Sequence, residues 1–171
     1  MKILVASDIH GSAYYAEKLI EAFRTEKADK LIICGDIYYH GPRNPFPKDY
    51  DPMKVADLLG RVRDRLIVVR GNCDSEVDEM ISPFPFFNDH TEPLGTRKIF
   101  FSHGHIYNER NIPAFLDSGD ILCFGHYHFP MNEKTKAGIT ILNPGSVSLP
   151  KNDKHTYAVI TEDDIFIKNI S

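Results

Sequence analysis

The sequence predicts an α/β fold of two packed sheets with helices on the outer faces, and three observations predict it. Residues 2–70 alternate buried-strand runs with amphipathic helical stripes. From residue 98 onward the apolar runs are short and separated by turns, with little helical pattern between them. The chain has 171 residues, 42% of them apolar, which suffices for one core burying roughly 70% of the surface its unfolded form exposes.

Residues 2–7, "KILVAS", read as a buried strand, and Ala16, Leu19, Ile20 and Phe23 behind it fall at i, i+3, i+4 and i+7, one helical stripe. "LIIC", 31–34, is the second strand. Asp51 then caps a helix with Pro52 at its first position and Val55, Leu58, Leu59 and Val62 on its inner face. "LIVVR", 66–70, is the third strand, and a β-α-β-α-β order with right-handed crossovers makes the three parallel. In the second half "KIFFSH", "DILCFG", "GITILN", "TYAVIT" and "DIFIKNI" read as strands, and residues 113–116 are the one short helical candidate. The loop 38–52, "YYHGPRNPFPKDYDP", carries four prolines and is read as a functional rim loop, since loops of this length inside a compact domain seldom serve only as connections. No repeat, low-complexity tract or linker divides the chain, so residues 1–171 are expected to form a single domain.

The formal charge of −4 and the absence of a basic stripe argue against extended nucleic-acid binding. Cys34, Cys73 and Cys123 are odd in number and widely spaced, which fits neither a disulfide framework nor a C-x-x-C metal motif and suits a reducing cytoplasm. The N-terminal apolar run meets charge at Asp8, too early for a signal peptide, and no apolar run approaches the ~20 residues of a membrane span. A soluble cytoplasmic protein without membrane contact is expected.

The chemistry lies at the strand ends. "VASDIHG" delivers Asp8 and His10, "IICGD" Asp36, "VVRGN" Asn72, "FFSHGH" His103, and "CFGHYH" His126 and His128. Strand alternation would send His126 and His128 to the same side. In a parallel α/β sheet the carboxyl edge is where such residues converge. Two carboxylates, four imidazoles and one amide oxygen exceed what one tetrahedral zinc needs, so two cations suit the set better. The mixed N/O donors favour Mn²⁺, with Fe, Zn, Co, Ni and Mg as alternatives. Asp36, on a central strand, can bridge the two ions with its two oxygens. Taken singly, D-x-H, G-D and G-N are common turn or surface patterns. Their ordered recurrence at successive strand ends carries the information.

D-x-H, G-D, G-N-x-[DE], H-G-H and G-H-x-H in this order resemble the calcineurin-like metallophosphoesterase superfamily. The run from "ASDIHGS" through "VRGNCDSEVD", "GHYHFP" and "NPGSVSLP" resembles its small bacterial phosphodiesterases of the YfcE type. The resemblance implies a four-layer α/β/β/α sandwich of two mixed sheets and a dinuclear site. It places one ion on Asp8, His10 and His128, the other on Asn72, His103 and His126, with Asp36 between them. The reaction implied is in-line displacement by an activated water on a small phosphodiester. The catalytic set so read is His10, Asp36, Asn72 and Cys73. Many superfamily members have a proton-donating histidine where "GNCD" places Cys73, and a thiol of ordinary pKa ~8.5 donates poorly to an alkoxide. A small buried filler is the other reading of Cys73.

Asp74 is a candidate to orient an imidazole, Arg43 reads mainly as a solvated loop charge, and "NPGSVS", 143–148, reads as a plain turn. Two other readings use the same motifs. A scaffold resembling the retromer subunit on this fold would not need all seven ligand positions, and here none is missing. The larger DNA-repair nucleases add DNA-binding segments for which 171 residues leave no room. Assembly into a dimer or tetramer stays open at this level.

Overall fold

The computed structural model describes residues 1–170. Strands β1 (Ile3–Ala6), β2 (Lys30–Ile33), β3 (Leu66–Val69) and β4 (Phe86–Phe87) run parallel and side by side. Strand β10 (Thr156–Ile160) adds antiparallel to β1 and β11 (Ile165–Asn169) antiparallel to β10, giving a six-stranded mixed sheet of order β11-β10-β1-β2-β3-β4. The second sheet has the order β5-β6-β7-β9-β8. Its parallel centre is β6 (Arg97–Ser102), β7 (Ile121–Phe124) and β9 (Thr140–Pro144), and its antiparallel edges are β5 (His90–Leu94) and β8 (Pro130–Lys134).

The period of two explains the layers. Leu4 and Ala6 of β1 face the helices α1 (Ala13–Thr25) and α2 (Pro52–Gly60), while Ile3 and Val5 face the second sheet and join Ile99, Phe101, Ile121, Cys123 and Leu142 there. Helix α1 buries Ala13, Ala16, Leu19, Ile20 and Phe23 and is capped by Ser12, whose hydroxyl accepts from the Tyr15 N–H. Asp51 caps α2 in the expected way, accepting from the Lys54 N–H, with Pro52 in the first turn.

The outer face of the second sheet carries a third apolar cluster, Phe100, Leu116, Leu122, Phe124, Ile139 and Ile141. Irregular chain between β6 and β7 covers it, not the short helix expected at 113–116. Only a turn forms there, closed by the Leu116 N–H on the Pro113 carbonyl. Four residues make too few intrahelical bonds to offset the cost of nucleating a helix. A six-residue helix α3 (Glu76–Ile81) and the strands β4, β5 and β8 escaped the sequence reading. Helix α3 is announced by a capping box of Ser75 and Asp78, and the edge strands β5 and β8 are polar or contain proline, so they lack an apolar run. No helix among the described residues is long and apolar enough to cross a membrane.

Candidate metal centre

The carboxyl ends of β1, β2 and β3 meet those of β6 and β7 at one edge of the sandwich, and all seven residues singled out from the sequence are brought together there. Three groups of ligand atoms form: Asp8, His10 and His128; Asp36, His103 and His126; and His10, Asp36 and Cys73. Asp36 joins the first two groups, because its Oδ2 lies 3.7 Å from His10 Nε2 and its Oδ1 lies 3.4 Å from His103 Nε2. Asn72 Oδ1 stands 2.8 Å from the same His103 nitrogen.

Backbone carbonyls orient the imidazoles. His10 Nδ1 donates to Tyr39 O, His103 Nδ1 to Cys34 O and His128 Nδ1 to Leu149 O, each at 2.6 Å. A carbonyl oxygen can only accept, so in the neutral ring the proton sits on Nδ1 and the Nε2 lone pair points into the cleft. Asp8 Oδ1, buried in the same place, has no hydrogen-bond partner. Acceptors thus face acceptors across short distances, an arrangement that calls for cations between them. The residues present fit a pair of divalent ions held by nitrogen and oxygen.

The electrostatics say the same. Burial pushes the Asp8 and Asp36 carboxyls up, but the proximity of His128 and His103 outweighs it and leaves both below the usual carboxylate range. Burial likewise lowers His103, yet Asp36 and Asp8 overcome it and push that imidazole up to about 9. His126, with burial and the neighbouring His103 against it, is shifted down.

The backbone that presents these groups is strained. Asp8, His10, Asp36, His126 and His128 have φ of 59°, 50°, 57°, 65° and 58°. Residues other than glycine adopt this region at a cost of about 1–3 kcal/mol each when the surroundings enforce it. His126 and His128 therefore do not share a side by strand alternation, since β7 ends at Phe124. A left-handed turn sends His126 to the Asp36 side and His128 to the Asp8 side. The loops are laced together: the N–H groups of Asp8, His10 and Gly11 donate to the carbonyls of Gly35, Asp36 and Ile37. Two glycines admit the close approach. A Cβ on Gly71 would lie 2.1 Å from Asp36 Oδ1, and one on Gly125 would lie 1.8 Å from Ser7 Oγ.

Asp74 does not touch an imidazole. Its carboxylate accepts from the N–H groups of Asp36, Ile37 and Gly71 at 2.8, 2.8 and 2.7 Å, which ties the β2 loop to the β3 loop. The segment "NPGSVS" is more than a turn. Ser146 and Ser148 hydroxyls donate to the Asp8 carbonyl, and Asn143 Nδ2 donates to the Gly125 carbonyl. In the sequence, only the place of Asn143, Ser146 and Ser148 directly after the apolar run "GITIL" marks them for this role.

A cleft of about 460 Å³ opens above the group, lined by His10, Asp36, Asn72, Cys73, His126 and His128 together with residues 41–44 of the rim loop and Lys151. Arg43 thus lies on the cleft and not merely in a solvated loop; Lys151 went unnoticed in the sequence. Cys73 is half-buried, its N–H donates to Asp36 Oδ1 at 2.9 Å, and burial and the Asp36 charge push its thiol up to about 12.

Residues 1–164 match the model of the calcineurin-like phosphoesterase superfamily domain. The chain is 43% identical over 169 residues to phosphodiesterase YfcE of Escherichia coli (strain K12), covering 95% of this chain and 89% of that protein. It is 29% identical over 168 residues to the probable metallophosphoesterase YsnB of Bacillus subtilis (strain 168), covering 94% and 84%. The solved structure of the E. coli phosphoesterase YfcE superposes with a TM-score of 0.90 at 39% identity over the whole of both chains. With the two mixed sheets and the clustered ligand atoms at their shared edge, these likenesses make the chain a member of the calcineurin-like phosphoesterase superfamily.

Proposed function

We propose that the chain is a metal-dependent phosphodiesterase that binds two divalent ions, Mn²⁺ foremost, and that residues 1–171 act as one catalytic unit. The observation that carries this reading is the convergence of acceptor atoms: His10 and His128 present Nε2 to one another at 3.2 Å, and His103 Nε2 meets Asn72 Oδ1 at 2.8 Å. Asp8, His10 and His128 would hold one ion and Asn72, His103 and His126 the other, with Asp36 within reach of both groups. Ions bound there supply Lewis acidity, stabilising charge on phosphoryl oxygens and lowering the pKa of water.

The chain's own groups do the rest. Asp8 and Asp36 supply the negative charge that retains the cations, and the carbonyls of Cys34, Tyr39 and Leu149 keep three imidazoles in the ligating tautomer. Asn72 is exposed to the cleft, where its amide N–H can also meet a phosphoryl oxygen. Cys73, a half-buried thiol, is a weak donor of a proton to a leaving group. A site without a strong acid suits esters whose leaving groups need little protonation, and the name of the E. coli relative, a phosphodiesterase, supports a diester. The size of the cleft and the net charge of −4 suit a small substrate and not an extended nucleic acid.

The test is hydrolysis of a bis-aryl phosphodiester and an aryl phosphomonoester by chelated protein reloaded with Mn²⁺, Zn²⁺, Mg²⁺ or Ca²⁺. Diester turnover restored best by Mn²⁺ is expected. Absence of turnover with every metal, in a protein that still binds them, would return the chain to the scaffold reading.

A further inference from the structure

The cleft holds two cations that the metal chemistry leaves unused. Arg43 stands on the 38–52 loop, and Lys151 follows β9, its backbone N–H donating to the His128 carbonyl at 3.0 Å. They reach the same cleft from separate segments. Among the described residues neither side chain makes an ion pair or a hydrogen bond, although Lys151 is near enough for its charge to act on the His128 imidazole.

Charge balance shows what these groups lack. Two divalent ions would bring four positive charges against the carboxylates Asp8, Asp36 and the buried Asp74, a net +1 that one hydroxide would cancel. A plain diester then leaves one negative charge to be shared by the two cationic side chains, Arg43 and Lys151. A terminal phosphate supplies the missing charge, since it carries about −1.5 to −2 at pH 7, and a guanidinium fork and an ammonium lining the same cleft suit its oxygens.

Resting on the dinuclear phosphodiesterase reading, we propose that Arg43 and Lys151 bind a second phosphoryl group of the substrate, and that the preferred substrate class is a phosphodiester that also bears a terminal phosphate. Exposed ion pairs contribute a few-fold each, so the pair together gives a preference of about tenfold.

Two p-nitrophenyl esters of a thymidine 5′-phosphate, alike except for a 3′-phosphate on one, test this with the Mn²⁺-loaded protein. KM is expected to be about tenfold lower for the phosphate-bearing ester, and the double variant Arg43→Gln, Lys151→Gln should bring the KM ratio to about one. A ratio near one in the parent protein overturns the proposal. So does an equal loss on both esters in the variant, which would place the cations on the reacting phosphoryl. Calorimetry of the same loaded protein with a nucleoside monophosphate and the matching bisphosphate gives a readout independent of turnover. The bisphosphate should bind about tenfold more tightly, less so in high salt, and the double variant should lose the difference. Equal affinities overturn the proposal even where neither ester is hydrolysed, and failure of hydrolysis alone would count against the phosphodiesterase reading.

Discussion

His10 Nε2 and His128 Nε2 face each other at 3.2 Å, and both rings donate Nδ1–H to backbone carbonyls on their far sides. A metal ion or a proton reconciles the two lone pairs, and Asp8 Oδ1, 3.3 Å from His128 Nε2 and otherwise unpartnered, adds to the demand for positive charge. In the absence of metal, protons meet that demand. His128 is pushed above its ordinary range by Asp8 against the pull of burial, and His103 is pushed up to about 9.

Metal loading at pH 7 is therefore expected to release protons. His103 is largely protonated below about 9 in the metal-free protein, so affinity for Mn²⁺ should climb as pH rises towards that value and level off above it. Calorimetry in two buffers of different ionisation enthalpy measures the release. Mn²⁺ at a hundred times its Kd should also stabilise the fold by about 2.7 kcal/mol, and Ca²⁺, which prefers an all-oxygen shell, by less. Melting temperatures unmoved by Mn²⁺ and a loading step without proton release would contradict the assignment.

Asp36 serves both ligand groups, so Asp36→Asn should lower kcat/KM by at least about a hundredfold, while Arg43→Ala, on the rim, should cost less than about tenfold. Asparagine keeps an oxygen for the Cys73 N–H, so the fold should survive and the loss should appear as reduced metal content. Equal small losses from both changes would favour a non-catalytic surface.

A second charged cluster ties the end of α1 to the first sheet. Glu26 accepts from Lys168 at 2.6 Å, from Lys2 at 2.7 Å and from the Tyr157 hydroxyl at 3.2 Å. Hydrogen bonds from Lys168 and then Lys2 outweigh burial and hold its carboxyl down to about 2, against 4.5 unperturbed. A depressed folded pKa means stability present above pH 4.5 and lost as pH falls through about 2. Glu26→Gln should cost about 1–2 kcal/mol at neutral pH, a figure discounted for the partial exposure of both lysines, and should flatten the acid limb between those two values. Chemical denaturation at several pH values checks it; a variant whose pH profile parallels the parent's would refute the assignment.

The sequence conveyed the ligand set because each ligand follows an apolar run that ends at the same edge of a sheet. Asp8, Asp36 and His103 could be placed by counting strands. What holds them could not. The orienting partners of His10, His103 and His128 are backbone carbonyls, which every residue possesses, so nothing in the letters marks Tyr39, Cys34 or Leu149 for that task. Lys151 lies 23 residues beyond His128 and reaches the cleft only because β9 runs parallel to β7 in the same sheet. The strained turn at His126 and His128 was also hidden, since H-x-H reads as an extended strand until the φ values are seen. Strands β5 and β8 escaped because a polar edge strand is stabilised by its neighbour's ladder and not by an apolar pattern of its own.

Cys73 lines the cleft beside Asn72, its Sγ 3.4 Å from the Asn72 amide nitrogen, and its thiol is pushed up to about 12 by burial and then by Asp36. At neutral pH it is an uncharged, weak acid. A leaving alkoxide would find little help from it, whereas an aryl oxide needs almost none, so kcat/KM across a series of phosphodiesters should fall steeply as leaving-group pKa rises. Cys73→Ala should change aryl-diester turnover by no more than a few-fold, because the position's backbone N–H, which holds Asp36 Oδ1, is retained. Cys73→His would place an imidazole of ordinary pKa ~6.5 on the same wall, where it can donate. Flattened leaving-group dependence, or monoester turnover raised relative to diester turnover, is expected of it. Measuring the series for the parent and both variants, with metal content determined in each, separates the cases: collapse of aryl-diester activity in Cys73→Ala with both metals still bound would show that the thiol takes part in the reaction after all.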